Sequence, residues 1–141
     1  RLPREPDKGK TMQLRHILIK VDDQDKALAF YTSVLGFKKG HDHLNGEIRW
    51  LTVVSPDDDG GAELVLEPNT FPPARAAQKA LHDAHFPAAL VTTRDILAEH
   101  KRLEALGVAL LGPPREMGPV TAAFFDDSCG NIIVLAQQAG G

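Results

Sequence analysis

Glu63 and Glu67 stand in the run Ala-Glu-Leu-Val-Leu-Glu-Pro (62–68), where charged and apolar side chains alternate. In an extended chain Glu63, Val65 and Glu67 share one face, and Leu64 and Leu66 share the other. If the leucines pack inward, both carboxylates are presented on the opposite face. There an unpartnered carboxylate such as Glu63 is a candidate general base. The competing reading is a glutamate that is simply hydrogen-bonded or solvated. His41-x-His43 has ligand-like spacing, yet Gly40, Asp42, Asn45 and Gly46 surround it, and a solvated hairpin is the preferred reading. His82 and His85 flank a connector helix with no recruited partner. His100 falls at helical spacing with Ile96 and Leu103 and reads as a packing histidine. Trp50, the single tryptophan, offers either a stacking surface for a planar ligand or a core or dimer contact. The stiff loop Pro113 to Pro119 is an ordinary connection or a gate whose Arg115 meets an anionic substrate. The single cysteine, Cys129, lies in an apparent turn where its sulfur could be exposed, and no histidine stands near it in sequence.

Several chemistries lack their residues altogether. No glycine loop cradles a phosphate, no CxxC pair occurs, and no nucleophile elbow is present. The chain has 141 residues, 43% of them hydrophobic and 25% charged, which is the balance of a globular domain rather than of a disordered segment. No apolar run approaches the roughly 18 residues that cross a bilayer, so no membrane partner is expected. The formal net charge of −3 gives no general attraction for phosphate backbones, so nucleic acid is not expected either. One cysteine cannot close an intramolecular disulfide, and a reducing, cytoplasmic setting follows as an expectation.

The elements that must position these residues can be read from periodicity. Residues 1–11 carry four basic side chains and two prolines against Glu5 and Asp7, and are expected to be a disordered leader or cloning remnant, with Met12 as the natural start. A strand is expected from Gln13 to Val21. A helix capped by Asp22 or Asp23 follows, burying Ala27, Leu28, Tyr31 and Leu35 and stopping at Gly36. Strands are expected at Phe37 to Lys39, Glu47 to Val54 and Ala62 to Leu66. A connector over 69–86, with a short helix at Ala74 to Ala84, leads to the same order again. That second run comprises a strand at Ala88 to Thr93, a helix from Asp95 to Gly107, and strands near Val108 to Leu111, Val120 to Phe125 and Asn131 to Ala136. Leu35-Gly36-Phe37 and Leu106-Gly107-Val108 end the two helices alike, 71 residues apart. The domain over 12–138 is therefore α+β, with βαβββ modules at about 13–68 and 87–138.

With those modules in place, the chain resembles the vicinal oxygen chelate superfamily of glyoxalases, bleomycin-resistance proteins and extradiol dioxygenases. The matching residues are His16, the runs at 27–37, 62–68 and 102–108, and Phe-Asp-Asp-Ser-Cys-Gly-Asn at 125–131. The last resembles the family's Phe-x-Asp-Pro-x-Gly-Asn turn, with Ser128 in place of proline. The resemblance implies tandem modules forming a cupped mixed sheet, a homodimer, and a divalent metal held by His16 and Glu63 from the first module. Positions 71 residues further on are Pro87, or Ala88 with a one-residue slip, and Val134. None of these side chains binds a metal. The expectation is therefore a degenerate metal site with no tightly bound cofactor and at most a weakly held divalent metal.

Two functions follow from the resemblance. One is a divergent lyase, isomerase or dioxygenase using Glu63 as its catalytic group. The other is a metal-free binding protein that sequesters an antibiotic or another small molecule. The ligand in either case is expected to be small and anionic or carbonyl-bearing, in a pocket lined by Val65, Glu67, Ala88 and Val134. Classical glyoxalase I activity is not expected, because Val134 and Ala88 offer nothing to a developing oxyanion.

Overall fold

The computed structural model describes residues 11–57 and 61–138. The leader expected at 1–11 thus lies, but for Thr11, outside the described residues. Strand β1 (His16–Val21) leads into helix α1 (Gln24–Ala29), whose first turn is capped by the Asp23 carboxylate accepting from the Lys26 N–H at 3.0 Å. The helix then widens into a π turn over Phe30–Val34. Strands β2 (Lys38–Asn45), β3 (Ile48–Val54) and β4 (Glu63–Pro68) complete the first module. Helix α2 (Pro72–Asp83) connects it to β5 (Pro87–Thr92), α3 (Ile96–Ala105), β6 (Arg115–Met117), β7 (Val120–Asp126) and β8 (Ile132–Gln138). The repeat is therefore real: each half is strand, helix, then three strands.

Each module closes its own four-stranded mixed sheet, in the orders β1-β4-β3-β2 and β5-β8-β7-β6. The parallel pairs are β1 with β4 and β5 with β8. The halves share a core rather than a ladder. Ile19, Val21, Leu51, Val53 and Leu66 of the first sheet join Ala123, Phe125, Ile133 and Leu135 of the second in one buried cluster with Phe30, Tyr31, Ile96 and Leu103. One reason the β1 edge does not extend into a common sheet is that side chains occupy it: the Lys20 carbonyl accepts from Gln78 Nε2 and Asn131 Nδ2, each at 2.8 Å.

The turn before β8 fixes the two halves together. Asp127 is fully buried and accepts from the Cys129 N–H at 2.7 Å, the Asn131 N–H at 3.0 Å, Asn131 Nδ2 at 2.9 Å and the Tyr31 hydroxyl at 2.6 Å. Tyr31 comes from the other module, so one carboxylate organises the turn and anchors the first helix to it. Desolvation, with Asp127 beside it, drives the Tyr31 phenol far above its usual range.

Two expected elements fall elsewhere. The stretch Val108 to Leu111 is not a regular strand; it touches β7 through the single bridge Leu110 to Phe125 and two backbone bonds. The edge strand is β6, Arg115–Met117, paired with Val120 to Ala122. Pro113 and Pro114 have no N–H to donate, so the ladder breaks at them and resumes beyond. Arg115 is accordingly part of a hairpin rather than a free gate. His41 and His43 lie in β2, the exposed first strand of the β2–β3 hairpin, in keeping with the solvated hairpin expected there, although the strand runs longer than Phe37 to Lys39.

Candidate functional site

The first sheet has two unlike faces, as the alternation in β4 implies. Leu64 and Leu66 turn to the core, while β1 and β4 pair in register with His16 opposite Glu63, Leu18 opposite Val65 and Lys20 opposite Glu67. The outer face therefore carries two polar pairs separated by an apolar one. Lys20 Nζ and Glu67 Oε1 are 2.6 Å apart and satisfy each other. Glu67 is thus an ion-pair partner, and Glu63 is the carboxylate with spare capacity.

Glu63 is held on one side only. Its Oε1 accepts from the Thr52 hydroxyl, which itself accepts from the His41 N–H at 2.8 Å. Its Oε2 accepts no hydrogen bond among the described residues. It faces His16 Nε2 at 3.8 Å and His41 Nε2 at 3.6 Å, both too long for a direct hydrogen bond. His16 Nε2 is shielded from solvent and has no hydrogen-bond partner among the described residues. Its ring meets Trp50 edge-on with centroids 5.2 Å apart, and His43 stands 5.9 Å from His41. The face thus gathers three imidazoles, one indole and one half-satisfied carboxylate.

His41 reaches Glu63 because β2 is irregular. The register of β2 on β3 shifts between Lys39 and Asp42, a bulge of the kind that re-aims a side chain. The bulge needs Gly40. A β-carbon there would lie 2.5 Å from Thr52 Oγ1 and 2.8 Å from Glu63 Oε1. The sequence favoured a solvated hairpin at His41 because Gly40, Asp42, Asn45 and Gly46 surround it, and no count along the chain reveals the bulge that brings it to Glu63. The available signal was a glycine beside a His-x-His pair in a strand-length segment.

The second sheet offers no matching chemistry. Val134 is buried and stands opposite Leu90, so the pairing register, which shifts between Pro87 and Ala89, places Leu90 rather than Pro87 or Ala88 across from it. Ile133 and Leu135 face the core, leaving Ile132, Val134 and Ala136 on the other side. Ala88 lines a cavity of about 290 Å³ with Leu18, Leu81, Phe86, Gln78 and Asn131, whose lining does not include Glu63 or Val134. Val65, which shares a face with Glu63, is itself buried.

These residues do not fit a resident divalent metal. His16 and His41 each bring an imidazole nitrogen near Glu63, but Leu90 and Val134 on the second sheet supply nothing. Among the described residues no group of three His, Cys, Asp or Glu side chains could hold a metal ion. Two other histidines have partners of their own. His82 Nε2 lies 2.6 Å from Asp126 Oδ2, a partner 44 residues away that the sequence did not reveal, and His100 Nε2 meets the Gly112 carbonyl at 3.1 Å. Cys129 is fully buried rather than exposed in its turn. No helix among the described residues is long and apolar enough to cross a membrane.

Comparison with known proteins agrees with this architecture. The family model described as Glyoxalase/Bleomycin resistance protein/Dioxygenase superfamily matches residues 13–135. The uncharacterized protein YurT of Bacillus subtilis (strain 168) is 48% identical over 120 residues, covering 85% of this chain and 94% of that one. The crystal structure of UcmS2 superposes with a TM-score of 0.78 at 30% identity, covering 89% of this chain and 98% of its own. TnmS3, an antibiotic binding protein from Streptomyces sp. CB03234, superposes with a TM-score of 0.71 at 28% identity, covering 92% of this chain and 98% of its own. With both halves of the repeat inside the matched region, the chain belongs to the Glyoxalase/Bleomycin resistance protein/Dioxygenase superfamily.

Proposed function

We propose that this protein binds a small, carbonyl-bearing molecule against the outer face of the first sheet, where Glu63 acts as a proton acceptor without a tightly bound metal. The observation that carries the reading is the division of labour on Glu63: Thr52 holds Oε1, while among the described residues Oε2 has no hydrogen bond and stands beside two imidazole nitrogens. Such a carboxylate can take a proton from the carbon next to a carbonyl. An imidazole N–H at His41 can donate to the carbonyl oxygen as negative charge develops there. A positioned base of this type contributes about 10²–10⁴-fold to a proton transfer. The resulting reaction class is lyase- or isomerase-like, and it differs from metal-assisted glyoxalase I chemistry.

A second reading has its own support. TnmS3 is an antibiotic binding protein, and its likeness extends over 92% of this chain. Sequestration of an antibiotic or other small molecule on the same face would use Glu63 and His41 for recognition rather than turnover. A homodimer in a reducing cytoplasm completes the proposal. Its support is the set of exposed apolar side chains on the first sheet, Leu18, Leu44 and Ile48, which a second copy would cover, together with the single cysteine.

The test is a thermal-shift screen of carbonyl compounds, catechols, glutathione adducts and antibiotics on the wild type and Glu63→Ala, with elemental analysis of the purified protein. The expected result is a Glu63-dependent stabilisation by at least one compound and less than one metal ion per chain. Stoichiometric metal with metal-dependent turnover of a glutathione hemithioacetal would overturn the reading. Turnover of the stabilising compound separates the enzyme from the sequestering protein.

A further inference from the structure

We infer that His41 and Glu63 form a donor–acceptor pair selecting a hydroxyl of the enol or phenol type, and that an anionic group is rejected. The inference rests on the proposed placement of the ligand on this face and specifies which functional group is held there.

The three side chains differ in access. His41 is 52% exposed, His16 34% and Glu63 22%, but the His16 Nε2 atom itself is sealed from solvent. The imidazole on the more exposed side of Glu63 is therefore that of His41. The 3.6 Å between His41 Nε2 and Glu63 Oε2 is too wide for a direct bond. It is narrow enough for one oxygen to reach both at ordinary hydrogen-bond lengths of about 2.7–3.0 Å.

The chemistry of that oxygen follows from what faces it. An ionised carboxylate only accepts, so the ligand atom must carry a hydrogen to give to Oε2. With its proton on Nε2, His41 donates, so the same atom must also accept. A hydroxyl does both at once, an ionised carboxylate oxygen cannot, and an ether oxygen only accepts. An enol is the hydroxyl tautomer of a carbonyl compound, so this group matches the proton-transfer reading without requiring it. Trp50 extends the face beside His16 and suits an unsaturated ligand body.

Gly40 and Thr52 make the arrangement specific. Gly40 leaves the space in which the carboxylate lies, and the Thr52 hydroxyl decides which oxygen is free. In Glu63→Gln the Thr52 hydroxyl would keep donating to the amide oxygen, turning the amide NH₂ outward. The outer position would change from an acceptor to a donor, and the preference should invert.

The experiment uses phenol as a stable enol, anisole as its ether and benzoate as the anion, titrated into isotope-labelled full chain and followed by NMR. Phenol should shift resonances of His41 and its neighbours and bind at least tenfold more tightly than anisole or benzoate. Glu63→Gln should weaken phenol about tenfold and strengthen benzoate, and His41→Leu should weaken phenol by a similar factor. Benzoate binding as tightly as phenol to the wild type, or an order of preference unchanged in both variants, overturns the inference while leaving the ligand face standing. If none of the three probes moves a resonance on this face, whereas a compound from the thermal-shift screen moves others, the inference and the placement of the ligand fall together.

Discussion

Gly40 and Glu63 occupy what is nearly the same space: a β-carbon at residue 40 would stand 2.8 Å from Glu63 Oε1. The carboxylate can lie where it does only because position 40 has no side chain, and the same glycine sits in the bulge that turns His41 toward it. Gly40→Ala should displace Glu63 and Thr52, abolish ligand stabilisation in thermal-shift assays and cost about 1–3 kcal/mol in urea denaturation. A variant that keeps wild-type ligand stabilisation would show that the carboxylate position is unimportant.

Tyr31 and Asp127 tie the modules together in the buried core. Tyr31→Phe removes one hydrogen bond to a carboxylate that keeps three other donors, and should cost about 1.5–3 kcal/mol. Asp127→Ala removes the acceptor from all four donors at once and should cost more than Tyr31→Phe. Equilibrium urea denaturation of the two variants measures both, and the reverse order would mean that the turn relaxes freely around residue 127.

Cys129 should be inert. Its thiol is fully buried, and burial, reinforced by Asp127, pushes its pKa up to about 12. Thiolate is the reactive form. Iodoacetamide should leave Cys129 unmodified in the folded protein at about pH 8 and alkylate it after denaturation, as read by mass spectrometry. Rapid native labelling would require the turn at 127–131 to open.

His82 should make a pH-dependent contribution. The hydrogen bond to Asp126 raises its pKa above the ordinary histidine range, with Asp83 adding to the effect against partial desolvation. A folded-state pKa raised above the unfolded one favours the protonated form in the fold. The stabilisation is therefore fully present below the unfolded value of about 6.5 and is lost as pH rises through the raised value. His82→Gln should lower the melting temperature more at about pH 5.5 than at about pH 9. The difference should be small, because the side chain is 32% exposed and the ion pair is screened by solvent. Equal losses at the two pH values would show that His82 acts only by packing.

The sequence by itself determined the repeated βαβββ unit, the α+β class and the face on which Glu63, Val65 and Glu67 lie. These follow from local rules: periods of 2 and 3.6, helix stops at glycine, and a measurable offset between two similar runs. That Pro87, Ala88 and Val134 have no metal-binding side chain is also read directly from the sequence, once the resemblance and the offset single out those positions. Tertiary structure decided what a count along the chain cannot reach. The bulge in β2 arises from how that strand registers on β3, so His41 came to Glu63 although alternation alone does not bring it there. The shift between Pro87 and Ala89 likewise put Leu90, rather than Ala88, across from Val134. His82 met Asp126 and Tyr31 met Asp127 across 44 and 96 residues of chain. Such pairings depend on how helices dock on sheets, which is set by the packing of the whole core rather than by any local run of residues.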